Sequence, residues 1–295
     1  MSDIDNKQAK LKVSSLLRSS AVVSVMTLLS RVLGMLRDMV LANYFGSGSA
    51  ADAFFIAFKI PNFLRRLFAE GAFAQAFVPV LSEYREKRSF ADVKQLADRT
   101  AGMLGLILTA LTALGVVMSP YLIVLFAPGF HNEPAKMQLA GELLRITFPY
   151  LLLISLTAFC GAILNSYGRF AVPAFTPVLL NLSMIGSTLF LTPYFTEPVM
   201  ALAWGVFIAG VAQLLFQMPF LWKMRLLPRP RLAAKDPGVK RIMVLMAPAL
   251  FGVSVSQINL LLDTVLASFL QTGSVSWLYY ADRLSELPLG AFGIA

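Results

Sequence analysis

Residues 61–77 read PNFLRRLFAEGAFAQAF, an apolar run with Arg65, Arg66 and Glu70 in its middle. The run is too apolar for a solvated helix, and three charges are too many for a helix facing hydrocarbon on all sides. A charge at the centre of a membrane helix costs roughly 2.5–3.5 kcal/mol on insertion scales, so the adjacent arginines imply water or partners inside a bilayer.

The rest of the chain supports that solvent. Of 295 residues, 57% are hydrophobic and 14% charged, and the mean hydropathy is +0.71, outside the usual soluble range. Apolar runs of about 20 residues, the length that crosses a bilayer core, recur between short polar or Pro/Gly-containing breaks. Eight spans are expected, near 21–45, 50–80, 101–126, 143–166, 172–194, 198–222, 243–270 and 275–295. These runs are continuous and do not alternate, which argues against a transmembrane barrel. The fold class is therefore an all-α polytopic membrane protein. Residues 1–20 are polar and the first apolar run holds Arg31 and Arg37, a poor match to a cleaved signal peptide. The single cysteine, Cys160, has no partner for an internal disulfide, and the single histidine, His131, reads as a solvated loop residue rather than a metal ligand.

The net charge of +9 is placed unevenly. Lys7, Lys10, Lys12 and Arg18 precede the first span; Arg85, Lys87, Arg88, Lys94 and Arg99 follow the second; Arg169 follows the fourth; Lys223, Arg225, Arg229, Arg231, Lys235, Lys240 and Arg241 follow the sixth. Of the alternate loops, only that at 127–142 holds a basic residue other than histidine, Lys136. By the positive-inside rule the N-terminus and the basic loops are cytoplasmic. Topology is sufficient reason for the charge, so nucleic acid is not expected as a partner; loop 223–241 could also meet anionic membrane lipid.

Residues 36–49, LRDMVLANYFGSGS, align without gaps on residues 261–274, LLDTVLASFLQTGS, with seven identities in fourteen positions. The match includes Asp38 with Asp263 and a Gly-Ser turn at the same distance. An offset of six spans makes the repeats parallel, related by an axis along the membrane normal. The expected organisation is a cytoplasmic segment 1–20, a first six-helix lobe 21–222, a basic linker 223–242, and the first two helices of a second lobe, 243–295, with the two lobes around a central cavity. On this reading the repeat begun at 243 is expected to continue by at least four further spans.

At 100° per residue, Asp52, Lys59, Asn62, Arg66 and Glu70 fall within about 80° of one another and form one polar stripe, with Arg65 about 100° from Arg66. Arg31 and Asp38 share a face of the first span; Ser256, Asn259 and Asp263 share one of the seventh; Arg283 and Glu286 follow in the eighth. Arg31 lies about 15 Å in from the cytoplasmic end of its span and Arg283 about 12 Å in from the outer end of its own, depths that bracket the midplane. These faces suit a hydrated cavity between two lobes. The acids and Arg65 suit structural pairing. Arg31, Arg37, Arg66 and Arg283 suit function, since a guanidinium stays charged and presents a planar fork to phosphate. Pro61, Gly34 and Gly71 could serve as hinges or simply shape the bundle.

Residues 30–80, SRVLGMLRDMVLANYFGSGSAADAFFIAFKIPNFLRRLFAEGAFAQAFVPV, closely resemble the MurJ (MviN) family of lipid II flippases. So do FAPGF at 126–130, RITFPYLLLISL at 145–156 and SVSWLYYADRLSELPLG at 274–290. The resemblance implies a bacterial cytoplasmic-membrane transporter of the multidrug/oligosaccharidyl-lipid/polysaccharide superfamily, with about 14 helices. Its substrate would be lipid II, the undecaprenyl-diphosphate-linked disaccharide-pentapeptide of peptidoglycan synthesis, moved to the outer leaflet. The implied substrate-binding residues are Arg31, Arg37, Arg66 and Arg283. The implied cavity or gate residues are Asp38, Asp52, Glu70 and Glu286, to which the stripes add Lys59, Asn62, Arg65 and Asp263. No cofactor, metal or covalent step is called for, and proton, sodium ion and membrane potential all stay open as the coupling source. The alternatives are an exporter of another polyprenyl-diphosphate oligosaccharide and a membrane enzyme acting on lipid-linked sugars.

Overall fold

The computed structural model describes residues 2–292, with side chains at 20–68, 71–254, 257–259 and 261–285. The side chains of Glu70, Ser256 and Glu286, named above, lie outside the described residues. Every regular element among the described residues is helical.

Helix α1 runs Ser2–Phe45, so the polar segment 1–20 and the first span form one rod. Val25, Leu28, Val32 and Leu36 are all about half exposed on it, at 59, 59, 50 and 47%. A stripe of large apolar side chains every three or four residues is what a lipid-facing helix presents. The chain then turns and enters α2 (Ser49–Arg65), a π-helical segment (Arg66–Phe73) and α3 (Ala74–Lys87), which follow one another without a break. Next come α4 (Phe90–Val117), α5 (Ser119–Phe126), α6 (Pro134–Thr147), α7 (Tyr150–Ser166), α8 (Ala171–Phe190), α9 (Met200–Lys223), α10 (Pro237–Ser268) and α11 (Ser274–Phe292).

Among the described residues, six stretches are long and apolar enough to cross a membrane: Ser20–Phe45, Phe90–Val117, Pro134–Ser166, Ala171–Phe190, Met200–Lys223 and Pro237–Ser254. This multi-pass membrane architecture departs from the expected eight spans in two places. The run 101–126 is broken at Ser119–Pro120, where proline starts a new helix and cannot continue the old one. The run 50–80 falls outside the apolar set because of its charges, and the run 275–295 extends beyond the residues whose side chains are described. Yet Ala51 to Phe58 of α2 are all buried, Asp52 among them, so this part of the helix meets protein on every side, while Lys59 and Arg65 are half-buried. Fully buried Ala53 and Ala57 keep it slim, the usual route to close helix approach where water supplies no driving force.

Pro61, inside α2, lacks an N–H and leaves the carbonyl four residues earlier, that of Ala57, without its helical donor. The hydroxyl of Thr147 at the end of α6 donates to that carbonyl at 3.1 Å. The same repair occurs in α8, where Pro177 orphans the carbonyl of Pro173 and the Thr176 hydroxyl donates to it at 2.8 Å. Gly71 serves close packing: a Cβ there would lie 2.8 Å from both the Arg66 carbonyl oxygen and a methyl of Val253 on α10.

The internal repeat has a structural counterpart, since α2 and α11 start at the aligned residues Ser49 and Ser274. In the second copy the preceding Gly273 has φ +102, and a Cβ there would lie 2.6 Å from the Ser47 carbonyl oxygen. Glycine is required on both counts.

Candidate functional site

A cavity of about 1660 Å³ opens between α1, the Arg66–Phe73 segment with α3, helices α7 to α9, and α11. The face of α1 that borders it repeats at helical spacing through Arg31, Gly34 and Asp38. Arg31, Arg37, Arg65 and Arg283 all stand in its wall. Four guanidiniums on three stretches of chain thus give one chamber an excess of fixed positive charge, offset there by Asp38.

Arg37 is 3% exposed and held on several sides. Its Nε and Nη2 donate to Asp38 Oδ1 at 2.9 and 2.6 Å, its Nη1 donates to Asn181 Oδ1 at 3.0 Å, and Nη2 also reaches the Tyr279 hydroxyl at 2.9 Å. Asn181 completes the join by donating from Nδ2 to the Ser30 carbonyl at 2.9 Å. Gly34 lies beside it, where a Cβ would sit at ordinary contact distance, 3.7 Å, from that same Nδ2. Tyr279 stacks on Phe55 with ring centroids 4.1 Å apart, and the Arg283 guanidinium lies 5.6 Å from the centre of the Tyr279 ring. One aromatic residue of α11 therefore links Arg37, Arg283 and the buried α2.

Of the predicted stripe on α2, Asp52 and Lys59 find partners toward α6, α10 and α11 rather than in the cavity. Asp52 is 1% exposed; its Oδ2 accepts from the Gly273 N–H at 2.7 Å, and its Oδ1 accepts from the Ser276 N–H and hydroxyl at 2.9 and 2.6 Å. Lys59 lies within electrostatic reach of Asp263 and Asp282. Asn62 turns back to its own helix and donates to the Phe58 carbonyl at 2.9 Å. Among the described residues, the cavity wall includes Arg65 and omits Arg66, Lys59, Asp52 and Asp263. Arg65, expected in a supporting role, thus stands in the wall, and Arg66, about 100° from it on the helix, is not among the wall residues.

Lys136, expected as a loop charge, is 4% exposed. Its Nζ lies 3.2 Å from Asp52 Oδ2 and 4.3 Å from the centre of the Phe130 ring, and Glu133 Oε1 is 3.4 Å away. Asp52, Lys136, Gly273 and Ser276 therefore form a clasp that ties the starts of α2, α6 and α11. At the opposite end the cavity is bordered by Ser82, Asn165, Ser166 and Phe170.

The cavity wall also holds uncharged groups that charge-based reading passed over. Gln213, 2% exposed, donates from Nε2 to the Thr176 carbonyl at 2.9 Å, and the Tyr150 hydroxyl donates to its Oε1 at 3.3 Å. Asn181 and Gln217 are the other buried amides there. An amide inside an apolar run is the signal that could have found them, since such a group needs a partner once buried.

Comparison with known proteins places this architecture. The family model described as lipid II flippase MurJ matches residues 41–295. A Vibrio cholerae protein named "Probable lipid II flippase MurJ" is 56% identical over 287 residues, covering 95% of this chain and 55% of the relative. The Burkholderia cenocepacia "Lipid II flippase MurJ" is 44% identical over 285 residues, covering 95% and 55%. The solved structure "Lipid II flippase MurJ, inward closed conformation" superposes with a TM-score of 0.78 at 32% identity, over 93% of this chain and 56% of that one. An outward-facing multidrug resistance MATE transporter of the MOP superfamily shares the fold alone, with a TM-score of 0.62 at 15% identity over 91% and 60%. The chain spans about half the length of the curated relatives it matches. On the strength of the family model and these identities, the chain belongs to the lipid II flippase MurJ family.

Proposed function

We propose that the protein moves lipid II from the cytoplasmic to the outer leaflet of the bacterial cytoplasmic membrane by alternating access, as a transporter and without covalent chemistry. The observation that carries this reading is the convergence of Arg31, Arg37, Arg65 and Arg283 on a single intramembrane cavity. A diphosphate dragged through hydrocarbon would lose its hydration with nothing in exchange, whereas guanidiniums supply charge-assisted, often bidentate hydrogen bonds. The lipid tail stays in the bilayer while the headgroup crosses within the protein.

The uneven charge favours a cytoplasmic N-terminus. With that orientation the Asp52 clasp lies on the outer side and closes it, while Ser82, Asn165 and Ser166 border the cytoplasmic mouth. The state is then inward-facing, and breaking the clasp is the step that exposes the arginines outward. We assign 21–222 to the first lobe, 223–242 to the linker and 243 onward to the second lobe, and place Arg31, Arg65 and Arg283 on the diphosphate, with Arg37 and Asp38 holding α1 against α8 and α11.

The test is transfer of lipid II to the outer leaflet in cells depleted of their own flippase. The protein should restore it, and Arg283→Ala should stop it at equal membrane abundance. Restoration by the arginine variant would remove the diphosphate clamp, and transfer of a different polyprenyl-linked glycan would reassign the substrate.

A further inference from the structure

The arginines account for one end of the proposed headgroup. The wall formed by α7, α8 and α9 is chemically different, because among the described residues its polar side chains are amides and hydroxyls, Asn165, Ser166, Thr176, Asn181, Gln213 and Gln217 among them. Two of the amides are committed. Asn181 joins Arg37 to the Ser30 carbonyl, and Gln213 joins Tyr150 to the Thr176 carbonyl. Gln217 is not. It is 1% exposed and stands in the cavity wall, and its Oε1 has no hydrogen-bond partner among the described residues. Its Nε2 faces a notch: a Cβ on Gly161 would lie 3.7 Å from it and 3.3 Å from Pro173.

Buried polar groups in folded proteins are almost always paired, and a buried side-chain amide without a partner is a departure that calls for a ligand or a cost. A glutamine that served only packing between α7 and α9 could be replaced by leucine or methionine without loss. The amide also differs from the arginines in what it can recognise. It has one acceptor and two donors and no charge, which fits hydroxyl and acetamido groups and offers a phosphate little.

The spacing fits a headgroup with two chemically distinct parts. Helices α8 and α9 are antiparallel: Ser183 bonds to the Gly205 carbonyl and Gln213 to the Thr176 carbonyl. Along α8, Thr176 lies five residues before Asn181, the partner of Arg37, which is about 7.5 Å. Along α9, Gln217 lies one turn beyond Gln213 in the same direction, about 6 Å more. The unpartnered amide is therefore about 14 Å along the cavity from the level of the Arg37 guanidinium, toward the mouth bordered by Asn165 and Ser166.

We infer that Gln217, set over the Gly161 notch, is a specificity-determining residue that hydrogen-bonds the uncharged saccharide part of the substrate while the arginines hold its diphosphate. This rests on the function proposed above and adds that the site reads sugar as well as charge. In the competent complex the Gln217 Oε1 accepts from a hydroxyl or acetamido N–H of the glycan, and its Nε2 donates to a glycan oxygen.

The test compares two lipids on the protein purified from membranes: lipid II, and undecaprenyl diphosphate with no sugar. The variants are Gln217→Leu, close in volume and unable to hydrogen-bond, and Gln217→Asn, which keeps the amide on a shorter stem. Gln217→Leu should weaken lipid II binding roughly thirtyfold, the loss of two net hydrogen bonds, and leave undecaprenyl diphosphate binding unchanged. Gln217→Asn should fall between. If wild type prefers lipid II and Gln217→Leu keeps the full preference, or weakens both lipids equally, the saccharide role is wrong while the diphosphate reading stands. If wild type binds neither lipid, the function proposed above fails and this inference with it.

Discussion

Ser276 presents both of its donors to one carboxylate oxygen of Asp52, the backbone N–H at 2.9 Å and the hydroxyl at 2.6 Å. A residue at the start of α11 is thereby capped by a side chain on α2, and Lys136 on α6 balances the charge from 3.2 Å. Removing one member of a buried ion pair strands the other, which is more damaging than replacing both. Asp52→Asn keeps the shape but leaves Lys136 with Glu133, whose side chain is 45% exposed, as its remaining acidic partner among the described residues. We expect a loss of about 2 kcal/mol in thermal unfolding of the solubilised protein, and recovery of at least half when Lys136→Met is added. A double variant no better than the single would show that the hydrogen bonds, and not the stranded lysine, dominate the clasp.

Arg65 and Arg66 offer a direct comparison, being identical in charge and adjacent in sequence. Only Arg65 stands in the cavity wall among the described residues. Arg65→Ala should reduce lipid II transfer at least tenfold, while Arg66→Ala, on the face turned to α10 and α11, should retain more than half at equal abundance. The reverse order would return the diphosphate contact to Arg66.

That pair also marks where the sequence stops being informative. Apolar runs of bilayer length are enough for an all-helical membrane fold, and helical phase is enough to put Asp52, Lys59 and Arg66 on one face. Phase alone does not say what the face meets, and here the packing of α10 and α11 against α2 turns the stripe away from the cavity. Lys136 misled for a related reason: its position in a polar connection says loop, while its contacts with Asp52 and Phe130 come from segments more than 80 residues away or from the turn of Pro128–Asn132. Asn181, Gln213 and Gln217 were passed over because a single amide barely lowers the hydropathy of a run of leucine and phenylalanine.

Thr147 tests how α2 tolerates its proline. Thr147→Val is nearly isosteric and removes the donor to the Ala57 carbonyl, leaving a buried acceptor unpaired. The expected destabilisation is about 1–3 kcal/mol, measured by thermal unfolding, with Thr147→Ser close to wild type because it keeps the hydroxyl. If valine and serine behaved alike, the hydroxyl would have no part in supporting the proline.

The linker between α9 and α10 lies against α4 as a strap. The Arg229 N–H donates to Asp98 Oδ1 at 2.7 Å and the Arg231 N–H to the Asp98 carbonyl at 3.0 Å. Arg99 pairs with Asp236, whose own Oδ1 caps α10 by accepting from the Val239 N–H at 3.1 Å. Gly102 makes the approach possible, since a Cβ there would run into the Arg231 backbone. Gly105 is the matched control one turn along, where a Cβ would meet nothing within 4 Å. Gly102→Ala must therefore lift the strap or shift α4, at about 1–3 kcal/mol for an overpacked contact. The strap is rich in exposed basic residues, so its release can be followed by trypsin. Cleavage after Arg231, which precedes Leu232, should quicken at least severalfold in Gly102→Ala and remain at the wild-type rate in Gly105→Ala. Equal rates in all three proteins would mean that the hydrogen bonds donated to Asp98 hold the strap without the close approach at Gly102.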